Sequence, residues 1–207
     1  MRRVAPGARA GRPPVVVVMV KEPRPGRVKT RLARGIGTVA AARWFRGTAL
    51  RVIAGLARDR RWQVRLAVSP DREGLRSCVW PRGVARQPQG GGDLGARMAR
   101  ALRSAPPGPV VVIGADVPGV TPARIADAFA ALRRADAVFG PAEDGGFWLV
   151  GLKRIRAPAS PRRMFEGVRW SRESTLAETL QRFAGLRVRR CSTLADVDEA
   201  ADLPRRA

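Results

Sequence analysis

Short β-branched runs alternate along this chain with longer segments whose apolar positions recur at helical spacing. Residues 14–20, "PVVVVMV", form an unbroken apolar run, the pattern of a strand buried on both faces. Residues 38–59, "TVAAARWFRGTALRVIAGLARD", place Val39, Ala42, Phe45, Ala49, Val52, Ile53 and Leu56 on one stripe, which predicts a long amphipathic helix. A second strand is expected over 63–70, "QVRLAVSP". It is followed by a short strand, a glycine-rich loop and a helix from about Leu94 within "VARQPQGGGDLGARMARALRSA". Residues 109–120 form another apolar strand that runs into a loop. Thr121 and Pro122 have the side chains of an N-cap and a first helical position for "PARIADAFAALRR". Residues 136–152 read as two strands around an "EDGG" turn. A last helix is expected from about Arg172 to Phe183, then a strand in "GLRVRRC" and the tail "LADVDEAADL". This alternation predicts an α/β fold with a mostly parallel sheet covered on both faces. The first 13 residues read as a mobile basic tail and 14–207 as one domain, with no internal repeat.

Open α/β sheets bind ligands at the carboxyl ends of their strands. The polar, glycine-rich segments 21–31, 87–95, 114–119 and 141–146 all fall at such ends, which predicts one shared site. Composition sharpens this. The chain has 37 arginines and three lysines, yet two of the lysines, Lys21 and Lys29, stand in the single loop "KEPRPGRVKTR". Arginine serves equally well wherever only solvated charge is needed, so retained lysines point to a specific task, and phosphate binding fits it. Lys21, Arg24, Lys29 and Arg31 supply the cations, and Gly26 allows close backbone approach. The loop is neither a Walker A sequence nor a dinucleotide fingerprint.

The absence of histidine excludes Ser-His-Asp and Cys-His catalysis and imidazole metal sites. Cys78 and Cys191 lie far apart without metal-ligand spacing, consistent with a reducing cytoplasm. No apolar run is long enough for a membrane span, and no secretory signal is visible, so a cytoplasmic location without a membrane partner is expected. The net charge of +23 raises the alternative of a basic nucleic-acid-binding module. The positives are scattered, however, tyrosine is absent, and aromatics make up 5%, so a solvated surface is the better reading and no specific nucleic acid is expected.

The remaining chemistry is carboxylate chemistry. Asp116, in "VVVIGADVPG", follows a buried strand and could hold Mg²⁺ against nucleotide phosphates, or simply cap a turn. Glu143 and Asp144 precede two glycines in "EDGGFWLVGL". Asp196 and Asp198, in "ADVDEAADL", are either helix caps or a second metal handle. In "QPQGGGDLGARM" three glycines would let the backbone lie flat against a planar ligand. Gln89 could read a base edge there, and Asp93 is best placed to cap the next helix.

Taken in order, "KEPRPGRVKTRL", "QGGGDLGARM", "GADVPGVTP", "EDGGFWLVGL", "MFEGVRWS" and "DVDEAADL" resemble the DUF2064 family over about residues 14–203. That family is glycosyltransferase-like, with the GT-A nucleotide-diphospho-sugar transferase fold. The first motif is also similar to the start of phospholactate guanylyltransferases. The resemblance implies a three-layer α/β/α fold with a Rossmann-like sheet. It places Lys21, Arg24, Gly26, Lys29, Arg31, Gln89, Gly90, Gly91, Gly92 and Asp93 around a nucleotide. Asp116 and Asp198 would hold Mg²⁺ or Mn²⁺. Glu143, Asp144, Gly145, Gly146 and Trp170 would face the acceptor, with Lys21, Lys29, Arg31 and Asp144 as the catalytic groups. Here the chain has Glu22 where the family usually has alanine, and "DVDEAADL" lacks the usual Thr-Pro. The activity expected is nucleotidyl transfer from a nucleoside triphosphate to a small phosphorylated or phosphonate acceptor. Glycosyl transfer from a nucleotide sugar is the alternative. Oligomeric state stays open, a homodimer among the options.

Overall fold

The initial valine run becomes the centre of a sheet. In the computed structural model, which describes residues 13–153 and 163–203, strand β1 (Val15–Lys21) lies between β2 (Gln63–Ser69) and β4 (Val110–Gly114), parallel to both. A strand flanked on both sides and covered on both faces has no polar side, which is why its sequence does not alternate. β3 (Ala85–Pro88) extends the parallel set beyond β2. On the other side β6 (Phe147–Leu152) runs antiparallel to β4 and to β5 (Ala137–Pro141), and β7 (Val188–Arg190) pairs parallel with β5. Among the described residues the order is β3-β2-β1-β4-β6-β5-β7. The expected tail lies outside the described residues save for residue 13.

Alternate residues of β1 point to opposite faces and seed two cores. Val16, Val18 and Val20 pack with helices α2 (Thr38–Ala57) and α5 (Pro122–Leu132). Val15 and Val17 pack with α4 (Leu94–Ser104) and α6 (Thr175–Arg182), where Phe139 meets Phe147 and Phe183 edge-on at 5.2 and 5.0 Å. Each fully buried large aliphatic or aromatic side chain contributes about 1.5–3 kcal/mol to this three-layer arrangement. Two short helices complete it, α1 (Thr30–Ile36) and α3 (Asp71–Arg76).

The stripe expected on α2 holds from Ala42 to Leu56, but Val39 is 52% exposed. The first turn of α2 stands beyond the sheet, and Ala41 takes the inward place there, against Leu32 and Val197. The helix signals at Asp93 and at Thr121–Pro122 act as expected: Ala96 N–H donates to the Asp93 carboxylate at 2.8 Å, and Thr121 caps α5. Among the described residues no helix is long and apolar enough to cross a membrane.

Candidate active site

The carboxyl ends of β1 to β5 and the start of the antiparallel β6 share one edge of the sheet, so their loops meet. The cationic loop leaves β1 at Lys21, whose side chain is exposed on the wall of a cleft of about 530 Å³. Arg24 turns away and pairs with Glu73 at 3.0 Å, and neither it nor Gly26 (φ 76°) lines the cleft. Glu22, the departure from the family pattern, accepts a hydrogen bond from the Ser77 hydroxyl at 2.9 Å and ties the loop to the segment after α3.

Lys29 is the centre of the arrangement. Its Nζ lies 2.8 Å from Asp116 Oδ2, 3.2 Å from Asp196 Oδ1 and 3.0 Å from Asp198 Oδ1, and its side chain is only 5% exposed. Arg31 takes the second oxygen of Asp198 at 3.3 Å, and the Trp44 ring lies 5.9 Å from the Lys29 ammonium. Burial alone would make Lys29 easier to deprotonate. The charges of Asp116 and Asp196, with hydrogen bonds to Asp116 and Asp198, outweigh it and hold the ammonium well above the ordinary lysine value. Asp196 moves upward, first because it is buried and then because Asp116 repels it. Lys29 also has a left-handed backbone, φ 45° and ψ 52°, at the start of α1, where its side chain makes no cap.

The remaining expected residues divide clearly. Gln89 reaches the cleft but is buried, its amide donating to the carbonyls of Val20 and Ala67 at 3.0 and 2.8 Å. Gly90, Gly91, Gly92 and Asp93 do not line the cleft, because Arg100 folds over the loop and its guanidinium donates to the carbonyls of Gln89 and Gly91. The apolar part of the wall comes instead from Met19, Leu94 and Met98. Asp144 lines both the cleft and an adjoining basin of about 730 Å³, while Glu143, Gly145, Arg31 and Asp198 line the basin alone. Gly146 and Trp170 line the cleft.

Sequence reasoning missed Arg172, which lines both spaces, and underrated Asp196. Arg172 sits on a turn whose middle residue, Ser171, is also left-handed (φ 57°). Thr175 fixes that turn, its hydroxyl accepting from Arg172 N–H at 3.1 Å and donating to the Arg169 carbonyl at 2.8 Å. The turn rests on Gly145 (φ 82°), where an added Cβ would lie 2.1 Å from the Glu173 carbonyl oxygen. No local sequence signal marks this contact, since the partners are about thirty residues apart.

The donor set at the sheet edge suits a hard divalent cation, because Asp116, Asp196 and Asp198 offer carboxylate oxygens from two separate loops. Yet among the described residues no three acidic or other ligating groups stand ready-arranged around a metal position, and the Lys29 ammonium lies between the three carboxylates.

The model of one family matches residues 52–172, more than half of the chain. The chain belongs to the DUF2064 family, described as an "uncharacterized protein conserved in bacteria". No curated protein matches this DUF2064 chain. Among solved structures it is similar to one from Desulfovibrio desulfuricans G20 named as a candidate nucleotide-diphospho-sugar transferase. The two share 28% identity and a TM-score of 0.76 over 90% of this chain and 82% of the other. It is also similar to 4-diphosphocytidyl-2C-methyl-D-erythritol synthase from Anaerococcus prevotii DSM 20548, at 11% identity and TM-score 0.61 over 93% and 95% of the two chains. Rv0371c of Mycobacterium tuberculosis H37Rv, in complex with manganese, gives 18% identity and TM-score 0.56 over 92% and 95%. The last two likenesses show the fold alone. The nucleotide-diphospho-sugar transferase fold expected from sequence is therefore the fold of this DUF2064 protein.

Proposed function

We propose that this protein is a metal-dependent, nucleotide-using transferase that moves a nucleoside monophosphate from a triphosphate to a small phosphorylated or phosphonate acceptor. One observation carries the reading: three carboxylates, of Asp116, Asp196 and Asp198, meet the cations Lys29 and Arg31 at the sheet edge, between an apolar-walled cleft and a polar basin. The cleft suits a nucleoside, with Met19, Leu94 and Met98 offering an apolar surface to a base and Lys21 standing at the phosphate end. The basin, with Arg31 and Arg172, suits an anionic acceptor. Asp116, with Asp196 and Asp198, would hold the metal, which when bound supplies charge neutralisation at the phosphates. Lys21 would hold the outer phosphates, and Arg172 would orient the acceptor toward the α-phosphorus, so positioning and electrostatics rather than a covalent nucleophile lower the barrier.

Glycosyl transfer is the second reading. The name given to the Desulfovibrio neighbour favours it, and Asp144, facing both spaces, would then take the proton of an acceptor hydroxyl. The test is thermal denaturation of the full chain with Mg²⁺ against the four common nucleoside triphosphates and a panel of nucleotide sugars, followed by assay of the released product. A ligand at a hundredfold its Kd should add about 2.7 kcal/mol, which for this size raises the Tm by roughly 5–10 °C. Stabilisation by a triphosphate, with pyrophosphate released in the presence of a phosphate-bearing acceptor, is expected. Stabilisation by nucleotide sugars alone would move the assignment to glycosyl transfer, and stabilisation by neither would sink both readings.

A further inference from the structure

Lys29 stands where the proposed reading needs a divalent cation. Its ammonium takes one oxygen from each of Asp116, Asp196 and Asp198 at 2.8–3.2 Å, and two of these partners lie 167 and 169 residues away along the chain. A magnesium ion requires oxygens at about 2.0–2.1 Å in a near-octahedral set, and two cations this close repel, so metal and ammonium cannot share the same oxygens. Among the described residues no acidic group of three is arranged for a metal. For a metal to take those oxygens, Lys29 has to move off them.

The chain is built so that it can. Lys29 lines both the cleft and the basin, so open space adjoins its stem on the side away from the carboxylates, where phosphates would lie. A compact charge on a flexible four-carbon stem suits such a move better than a planar guanidinium with a fixed fork of donors. That accounts for a lysine here in a chain with 37 arginines. The left-handed backbone at Lys29 has an energetic cost, and it persists because the three carboxylates hold the side chain.

We infer that Lys29 is an exchangeable tethered cation. It holds the three-aspartate cage together before metal arrives, and it is turned out toward the nucleotide phosphates when a divalent ion takes the carboxylates. This rests on the metal-using reading above and assigns Lys29 the role of a positioning residue with two places.

The rarity of lysine makes a direct test possible with the unaltered chain, because Lys21, Lys29 and Lys153 are its only side-chain amines. Acylation of the apo protein, followed by peptide mass spectrometry, reads the three separately. An ion-paired, buried ammonium is neither accessible nor nucleophilic, so Lys29 should react roughly tenfold or more slowly than exposed Lys21. Saturating Mn²⁺ without nucleotide should raise the Lys29 rate several-fold and leave Lys153 unchanged. Calorimetry on the same samples reports whether Mn²⁺ binds. Binding with no change at Lys29 overturns the exchange alone, while no binding at all overturns the exchange together with the metal-using reading. In Lys29→Met the competitor is gone, and apo-protein Mn²⁺ affinity should tighten roughly tenfold. Weaker or equal binding by a folded variant would also overturn the inference.

Discussion

Two non-glycine residues among those described have left-handed backbones, and they stand on the two rims of the same cleft. Lys29 is held from inside, its ammonium enclosed by three carboxylates and 5% exposed. Ser171 is held from outside. Its turn is pinned by Thr175 and by the Arg169–Glu178 pair, in which the Arg169 side chain is 74% exposed and Ser174 adds a hydrogen bond at 2.7 Å. Strained backbone persists only where its surroundings over-determine it, and here the two surroundings differ in kind. At Lys29 the holding groups are the same carboxylates that would meet the metal, so the strain sits on the chemistry. At Ser171 they are hydrogen-bonding groups of the scaffold, and they aim Trp170 and Arg172 at the cleft. A change on the first rim should therefore show first in function, and a change on the second should show first in stability.

The sharpest way to break this contrast is Asp116→Asn. Losing one preorganised charged group from such a site should lower turnover by roughly a hundredfold to a thousandfold. Stability should fall only modestly, because the amide keeps an oxygen to accept from the Lys29 ammonium and Asp196 and Asp198 still pair with it at 3.2 and 3.0 Å. Activity assay and calorimetric unfolding of the same sample check both halves. A large fall in Tm would mean that the cage is scaffold after all.

Gly145→Ala is the mirror experiment, and its effect should appear in stability. A Cβ there would lie 2.1 Å from the Glu173 carbonyl oxygen, and the residue already has φ 82°. Relief requires the 142–146 turn and the 171–175 turn to separate, breaking the Leu176 N–H to Gly145 carbonyl bond of 2.9 Å. The cost should be about 2 kcal/mol or more, or roughly 4–8 °C in Tm. An unchanged melt would show that the second rim is looser than its contacts imply.

The same contrast marks how far the sequence could be read. The sheet was legible because burial on both faces leaves a continuous apolar run in β1 and β4, and "EDGG" between two apolar runs marks the β5–β6 turn. Convergence of the loops followed from parallel strands having their carboxyl ends on one edge. Lys29 stood out as a rare lysine in the loop after β1, and Asp116 as a carboxylate just after β4. That Lys29 meets Asp116 together with Asp196 and Asp198 was not legible, since nothing local to "VKTR" records the last two carboxylates, more than 160 residues away. Gly90 to Gly92 misled for a related reason. A glycine run signals backbone freedom, but Arg100, a turn and a half into the next helix, covers that backbone from above.

The smallest expected effect concerns the outer clamp and pH. The Glu178 carboxylate is brought down to about 2, first by its hydrogen bonds with the Arg169 side chain, then by the Arg169 backbone N–H and the Ser174 hydroxyl. A carboxylate held below its ordinary value of 4.5 stabilises the folded state above that value. As the pH falls from there toward 2, the unfolded chain takes up the proton first, and the contribution drains away until both states are protonated. Lys29 has the opposite sign. Held above its ordinary value of 10.5, it contributes fully below that pH and loses its contribution only when its own, higher value is passed. Between pH 5 and 8, then, neither clamp should change. Below pH 4 only the outer one should yield, and because Arg169 is exposed, added salt should reduce the effect. The measurement is the Arg169 Nε–H resonance followed from pH 6 to 2 in the parent and in Glu178→Gln. The parent signal should shift only near the acid end and the variant signal should not shift. A midpoint near 4.5 in the parent would mean that Arg169 and Glu178 are not paired in solution, and that Thr175 and Gly145 hold the Ser171 rim unaided.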